Sequence, residues 1–456
     1  MNVVFDFNVD LYLKGNIMSF IKRITCLILM LLVVLASLIS TSAITYNYDK
    51  AIESETVLLI NMDTGIPVLE KNVDMVRYPA SLTKIMTYII AYENIEDVYN
   101  TRVEIRQEVL NPLLGTGSSM SGLDYKVGEK VTVIDLLNCL LITSGNDAAL
   151  VLADYVGGGD TERFVDMMNE KAKELGCENT HFVNPHGLHD ENHYTTAYDL
   201  YKITTYALTL PLFSEITDTA TYYCEGDDYP LVTTNYLIDV NRGGDYYYTY
   251  AKGIKTGTTD EAGRCLITTA IADGYAYMCI CMGAPYQNSD HNGAMTDAKQ
   301  MLRWALLDLE LSRMLTTDTP VCEVDVNFTA SDKQLLLYPS QTVNTILPKD
   351  HKPEDVRVIP DVPESIDAPV TKGDVIGTAT VYYKDEAVQT VDVVATEDVE
   401  RSSFAYTMHI FKVVLTSWPF WIAFIIAIIL IIIYISLVSN VKNSKKQRRV
   451  KKYRRL

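Results

Sequence analysis

Three short groups of residues in this 456-residue chain carry side chains that could make and break an acyl bond. The first is Ser81-Leu82-Thr83-Lys84, preceded by Tyr78-Pro79-Ala80. A serine hydroxyl is a weak nucleophile until a base takes its proton, and a lysine that is desolvated or set beside another cation can be that base. Proline and a small residue ahead of a helical run mark a helix start. Ser81 and Lys84, three apart, then share one face of the first turn. The second group is Ser144-Gly145-Asn146 and the third Lys255-Thr256-Gly257. Taken singly, each is weak: Ser-x-x-Lys is more often a solvated helix face, and Lys-Thr-Gly a turn. Their order and the elements expected beneath them make the combination specific.

Those elements follow from hydrophobic periodicity. Residues 56–62 and 66–70 flank Asp63-Thr64-Gly65 as strand, turn and strand. From Ser81 to Leu210 the period is mostly helical, and the apolar run Val133–Leu141 leads into Ser144. Strand patterns return at Tyr246–Lys255, Arg264–Ala272 and Tyr275–Gly283, with Asp273-Gly274 as a hairpin turn. Lys255-Thr256-Gly257 is then expected at the end of a strand that begins near Tyr250. A long helix is expected over Gly293–Arg313. This gives an α/β (α+β) fold: one mixed sheet with a helical insertion. Residues 316–398 alternate as a small all-β domain, with Pro348–Pro369 expected as a long surface connection.

The three motifs together are those of penicillin-binding proteins and serine β-lactamases, whose middle member is Ser-Asp-Asn. The chain resembles the low-molecular-mass penicillin-binding proteins, the serine D-Ala-D-Ala carboxypeptidases. The likeness also includes Phe182-Val183-Asn184-Pro185-His186-Gly187-Leu188, Gly253–Gly263, and the stretch around Lys372-Gly373-Asp374. It covers roughly residues 50–400. Gly145 stands where the pattern has Asp, and a membrane-crossing segment stands where many relatives have an amphipathic helix.

The resemblance implies roles. Ser81 attacks the carbonyl of the penultimate D-alanine, and Lys84 takes its proton. Lys255 depresses the pKa of Lys84, since a like charge disfavours protonation. Ser144 relays a proton to the leaving D-alanine, and Asn146 hydrogen-bonds the substrate amide. The N–H groups of Ser81 and Thr258 hold the oxyanion. Lys255 and Thr256, with Gly257 completing the motif, receive the terminal carboxylate. Water then hydrolyses the acyl-enzyme, with no metal or organic cofactor required. The implied partners are peptidoglycan stem peptides ending in D-Ala-D-Ala, and β-lactam antibiotics as inhibitors.

Charge and hydropathy place the chain. Its net charge is -19, although residues 411–456 hold ten Lys or Arg and no acid, so the body is more acidic still. Such a body repels nucleic acid. Lys22-Arg23, an apolar run to Ile39 and Ser40-Thr41-Ser42-Ala43 read as a secretory signal over residues 1–43, with Met18 a second candidate start. The catalytic domain is expected over 44–315 and a juxtamembrane linker over 399–417. A transmembrane helix over 418–440 and a basic tail over 441–456 follow. The positive-inside rule puts that tail in the cytoplasm and the catalytic domain outside, on a single-pass anchor through the lipid bilayer. Seven scattered cysteines remain after the signal and read as buried small hydrophobes, not a disulfide framework.

Four other readings compete. His181, His186, His189 and His193 cluster, but without a His-Glu-x-x-His helix, so a zinc D,D-peptidase is disfavoured. A β-lactamase needs a deacylating glutamate, and Glu162, Glu170, Glu174 and Glu178 lack its context. A D,D-transpeptidase or endopeptidase would use the same site and differ only in acceptor or substrate. A non-catalytic scaffold is hard to reconcile with an intact set of motifs.

Overall fold

The computed structural model describes Ile44, residues 46–286 and residues 291–453. The signal expected at 1–43 lies outside the described residues. The chain divides into two compact units, residues up to Ser312 with 344–353, and residues 313–343 with Glu354 onward.

In the first unit, β1 (Thr56–Asn61) and β2 (Pro67–Lys71) form the expected hairpin. The Asn61 side chain accepts from both the N–H and the hydroxyl of Thr64, which fixes the turn. Strands β3 (Ala251–Thr259), β4 (Gly263–Ala272) and β5 (Tyr275–Ala284) complete a five-stranded sheet in the order β2-β1-β5-β4-β3. The combination of sheet and helical insertion is as expected. The sheet itself is antiparallel throughout, because its strands are joined as hairpins and β1 meets β5 antiparallel.

Every residue of β1 is buried, which follows from helices on both faces of the sheet. On one side lies a helix over Gly293–Asp308. On the other lie the helices α1 (Lys84–Asn94), α2 (Val133–Leu141), α3 (Asn146–Gly157), α4 (Thr161–Glu174) and α5 (Ala197–Thr209). From Lys84 to Ala91 helix α1 is buried at every position, so it is the central helix of the unit.

Two expectations are corrected here. The strand expected over Tyr246–Lys255 begins at Ala251 and continues to Thr259, pairing with β4 along its length. The Lys255 motif therefore sits inside an edge strand, not at its end. The helix expected to reach Arg313 stops at Asp308, and Leu309–Leu315 is a strand paired with Val343–Pro348. Its period-two burial outweighs the helical propensity of the segment.

The second unit holds a six-stranded sheet around Val324, Leu335, Leu337, Ala379 and Val393. Within the expected connection Pro348–Pro369 there are in fact two strands. Val356–Asp361 pairs antiparallel with Val375–Tyr383, and Ser365–Asp367 lies parallel to Cys322–Asn327. Both are edge strands, where Pro360 is tolerated because no further strand needs its missing N–H. The linker expected at 399–417 is helical over Ser403–Thr416, capped by the Ser402 hydroxyl. A 36-residue helix, Trp418–Tyr453, follows. Its stretch Trp418–Asn440 spans 23 residues, with mean hydropathy 3.1 over its most apolar 18, and is long and apolar enough to cross a membrane.

Candidate active site

Ser81 lies in a 3-10 turn, Ala80–Thr83, that runs directly into α1. Ala80 has φ +48°, a conformation that costs a non-glycine residue about 1–3 kcal/mol. Its surroundings enforce it. The Thr83 hydroxyl donates to the Ala80 carbonyl at 2.8 Å. Gly187, itself at φ +87°, packs so closely that a Cβ there would lie 1.9 Å from the same oxygen. From β3, Gly257 approaches the other side, where a Cβ would stand 3.1 Å from the Ser81 nitrogen.

Lys84 is fully buried, and its Nζ has three neighbours. They are the Ser81 Oγ at 2.9 Å, the Asn146 Oδ1 at 2.6 Å and the His186 carbonyl oxygen at 2.7 Å. Desolvation holds the Lys84 pKa well below the usual lysine range, the Lys255 charge lowers it further, and Asp147 opposes both. A neutral amine has two N–H donors and one lone pair. Asn146 Oδ1 and the His186 carbonyl can only accept, so they take both donors. The lone pair is left facing Ser81, whose O–H then donates to it. This is the geometry of a general base on its nucleophile.

Ser144 follows α2 at φ +62° and is buried. The residues on either side hang from one acceptor, the Cys139 carbonyl, which receives the Gly145 N–H at 2.9 Å and the Thr143 hydroxyl at 3.0 Å. Among the described residues, the Ser144 hydroxyl is not hydrogen-bonded to Ser81 or Lys84. Asn146 begins α3, and its bond from Lys84 leaves both Nδ2 protons available to a ligand. Gly145 has a physical reason: a Cβ there would stand 2.6 Å from Asp147 Oδ1 and 2.8 Å from Ser121 Oγ.

Across from these, Lys255 is buried on β3 and donates to the Thr256 carbonyl at 2.9 Å. Burial pulls its pKa down to about 7. Its charge is the second cause, after desolvation, of the depressed Lys84 pKa. The Thr256 hydroxyl lies 2.5 Å from that of Thr234. Thr258, one residue past Gly257, is exposed on the same edge strand.

Several supporting residues escaped sequence reasoning. Buried Asp147 accepts from the N–H and hydroxyl of Ser121 and from the N–H of Leu123, ordering the loop that abuts Asn146. His193 accepts the Val183 N–H on Nδ1, so its Nε2 carries the proton and donates to Thr83 at 2.8 Å. The His186 ring accepts the Leu188 N–H. Burial lowers the His186 pKa to about 3 and that of His193 to about 4, so both stay neutral. His193 thus braces the turn that carries Ser81, and the His186 ring orders the loop packed against that turn. The signal available was their place in Asn184-Pro185-His186-Gly187 and shortly after it.

Residues 42–286 match the D-alanyl-D-alanine carboxypeptidase family, and residues 310–401 match the C-terminal domain of penicillin-binding protein 5. The D-alanyl-D-alanine carboxypeptidase DacF of Bacillus subtilis is 31% identical over 359 residues, 78% of this chain and 88% of its own length. The solved carboxypeptidase DacD from Francisella tularensis is 26% identical, with TM-score 0.64 over 80% of this chain and 98% of its own. The Streptomyces K15 DD-transpeptidase is 27% identical, with TM-score 0.51 over 57% of this chain and 99% of its own. With a catalytic-family match over more than half its length and a relative aligned along most of it, this chain belongs to the serine-type D-alanyl-D-alanine carboxypeptidase family, the low-molecular-mass penicillin-binding proteins.

Proposed function

We propose that this chain removes the terminal D-alanine from peptidoglycan pentapeptides at the outer face of a membrane, through an acyl-enzyme on Ser81. The observation that carries this is the neighbourhood of Lys84: two obligate acceptors leave its lone pair for the Ser81 proton. The Ser81 oxygen adds to the penultimate carbonyl as its proton passes to Lys84. The N–H groups of Ser81 and Thr258 hold the oxygen that gains charge. Collapse breaks the peptide bond, and the leaving amine takes a proton through Ser144. Asn146 holds the substrate amide. Lys255, still protonated, and Thr256, oriented by Thr234, receive the terminal carboxylate. Water then attacks the ester, with Lys84 again taking the proton. β-Lactams occupy the same path and stop at the acyl-enzyme.

The apolar stretch Trp418–Asn440 supports a single-pass anchor, and the basic residues after it support a cytoplasmic tail with the catalytic unit outside. Protease applied to the cytoplasmic side of sealed vesicles then removes only the tail; loss of the catalytic unit would invert this orientation. For the chemistry, the decisive experiment is mass spectrometry of the protein after incubation with penicillin. The whole mass of the drug is expected on the peptide containing Ser81, and nowhere in folded Ser81→Ala. An adduct on another residue would remove Ser81 from its role.

A further inference from the structure

The described cysteines are free thiols, yet two of them, 85 residues apart in sequence, meet inside the catalytic unit. The Sγ of Cys139, on α2, lies 3.9 Å from the Sγ of Cys224, and both residues are buried. The segment carrying Cys224 is already fastened over α2 and its approach. The Tyr222 hydroxyl donates to Asp135 at 2.9 Å, Lys126 pairs with Asp227 at 2.7 Å, and Arg102 pairs with Glu225 at 2.6 Å. These contacts hold the two sulfurs at van der Waals distance, and a bond requires them to close to about 2 Å.

We propose that Cys139 and Cys224 are a disulfide-forming pair, joined when the folding chain meets a disulfide oxidant such as glutathione disulfide or an exported dithiol oxidoreductase. The inference rests on the reading that the catalytic unit lies outside the membrane, where disulfides persist. One cysteine thiolate attacks the oxidant's S–S bond, giving a mixed disulfide and one released thiol. The second thiolate then attacks the mixed disulfide at the protein's sulfur and expels the other thiol. The two protons of the protein thiols end on the two thiols of the reduced oxidant. Burial of both sulfurs in the folded unit places this exchange before folding is complete.

The bond would act on the active site through the backbone. Cys139 supplies the carbonyl from which Thr143 and Gly145, on either side of Ser144, are hung. The chain leaving Cys224 reaches Thr234, whose N–H donates to the Ile142 carbonyl and whose hydroxyl meets Thr256. A covalent link at Cys139–Cys224 therefore restrains the Ser144 turn and the support of the Lys255 motif together.

The test uses the full chain, purified in detergent, unfolded, and refolded in a glutathione redox buffer, then alkylated without reduction and mapped by mass spectrometry. A cross-linked pair of peptides containing Cys139 and Cys224 is expected. With it should come a fall of several degrees in wild-type melting temperature on adding reductant, and no such fall in Cys224→Ser. Both cysteines alkylated after refolding would overturn the pair. Protein taken directly from membranes separates the two readings: thiols alkylated there, but bonded after refolding, place the failure in the outside location and not in the pair.

Discussion

The Nζ of Lys84 and the carbonyl oxygen of His186, 102 residues apart in sequence, lie 2.7 Å from one another. This bond joins the catalytic helix to the Asn184–Leu188 loop and decides the protonation geometry of the site. Without that acceptor, a neutral lysine could turn an N–H toward Ser81 and lose the geometry that the proposed base requires. The loop makes two further contacts, Thr87 of the same helix donating to the Pro185 carbonyl and Gly187 lying against Ala80 in the turn that leads into it.

Gly187→Ala should therefore be far costlier than an ordinary glycine replacement. At φ +87° and with its Cβ 1.9 Å from the Ala80 oxygen, alanine must push the loop off the helix. A loss of about 3 kcal/mol or more is expected, within the range for strained or overpacked sites. Gly65→Ala, at φ +69° with nothing within 4 Å, is the control and should cost about 1 kcal/mol. Urea unfolding gives both numbers, and penicillin acylation should slow only in Gly187→Ala. Equal costs would mean that the loop does not clamp the helix.

Lys84→Arg keeps a cation and a long side chain but cannot lose its proton near neutrality. It should fold, as judged by circular dichroism, and acylate about 10³-fold more slowly or worse, in keeping with loss of a general base. Acylation within about tenfold of wild type would assign the base elsewhere.

Much of this site was legible in the sequence, for a physical reason. Ser81 and Lys84 are local, one helical turn apart, and their relation needs only the helix. What the sequence could not display is partnership across the fold. The carbonyl of His186 carries no side-chain signature, and a backbone acceptor is invisible in composition. Likewise Cys139 and Cys224 stand 85 residues apart and meet only because a loop is pinned over α2. The misjudged ends of the strand at Ala251–Thr259 and the helix at Gly293–Asp308 have a related origin, since pairing with neighbouring strands set them. The histidines read as a possible metal cluster because ring orientation is also a tertiary property: His193 turns its two nitrogens to Val183 and Thr83.

The two buried lysines also make a pH prediction. The proposed mechanism needs Lys84 neutral and Lys255 charged. The Lys84 pKa lies well below the lysine range, so Lys84 sets the acidic limb, and activity rises as it loses its proton. Burial holds the Lys255 pKa down to about 7, so its proton is lost as pH rises through that value. Because kcat/KM reports the free enzyme, it should fall above about pH 7 for a substrate ending in a carboxylate. A depsipeptide or amide analogue lacking the terminal charge should lose that alkaline limb while keeping the acidic one. The same alkaline limb for both substrates would show that Lys255 does not read the carboxylate.

The last prediction concerns what attacks the acyl-enzyme. In the proposed mechanism hydrolysis and cross-linking share every step up to the Ser81 ester, so the geometry around Lys84 serves both. The choice rests on whether water or an amine occupies the position beside the Lys84 lone pair. The likeness to the carboxypeptidase DacD runs over 80% of this chain, whereas that to the K15 transpeptidase covers 57%. Residues 310–401 match the C-terminal domain of penicillin-binding protein 5, consistent with the longer likeness. From a pentapeptide donor the expected products are free D-alanine and the tetrapeptide. Cross-linked dimer should remain a minor product even with excess amino acceptor, as chromatography of the reaction would measure. Dimer in excess of tetrapeptide would make transpeptidation the principal reaction and leave the nucleophile unchanged. The two outcomes differ only in the acceptor, so Ser81→Ala should abolish whichever product dominates.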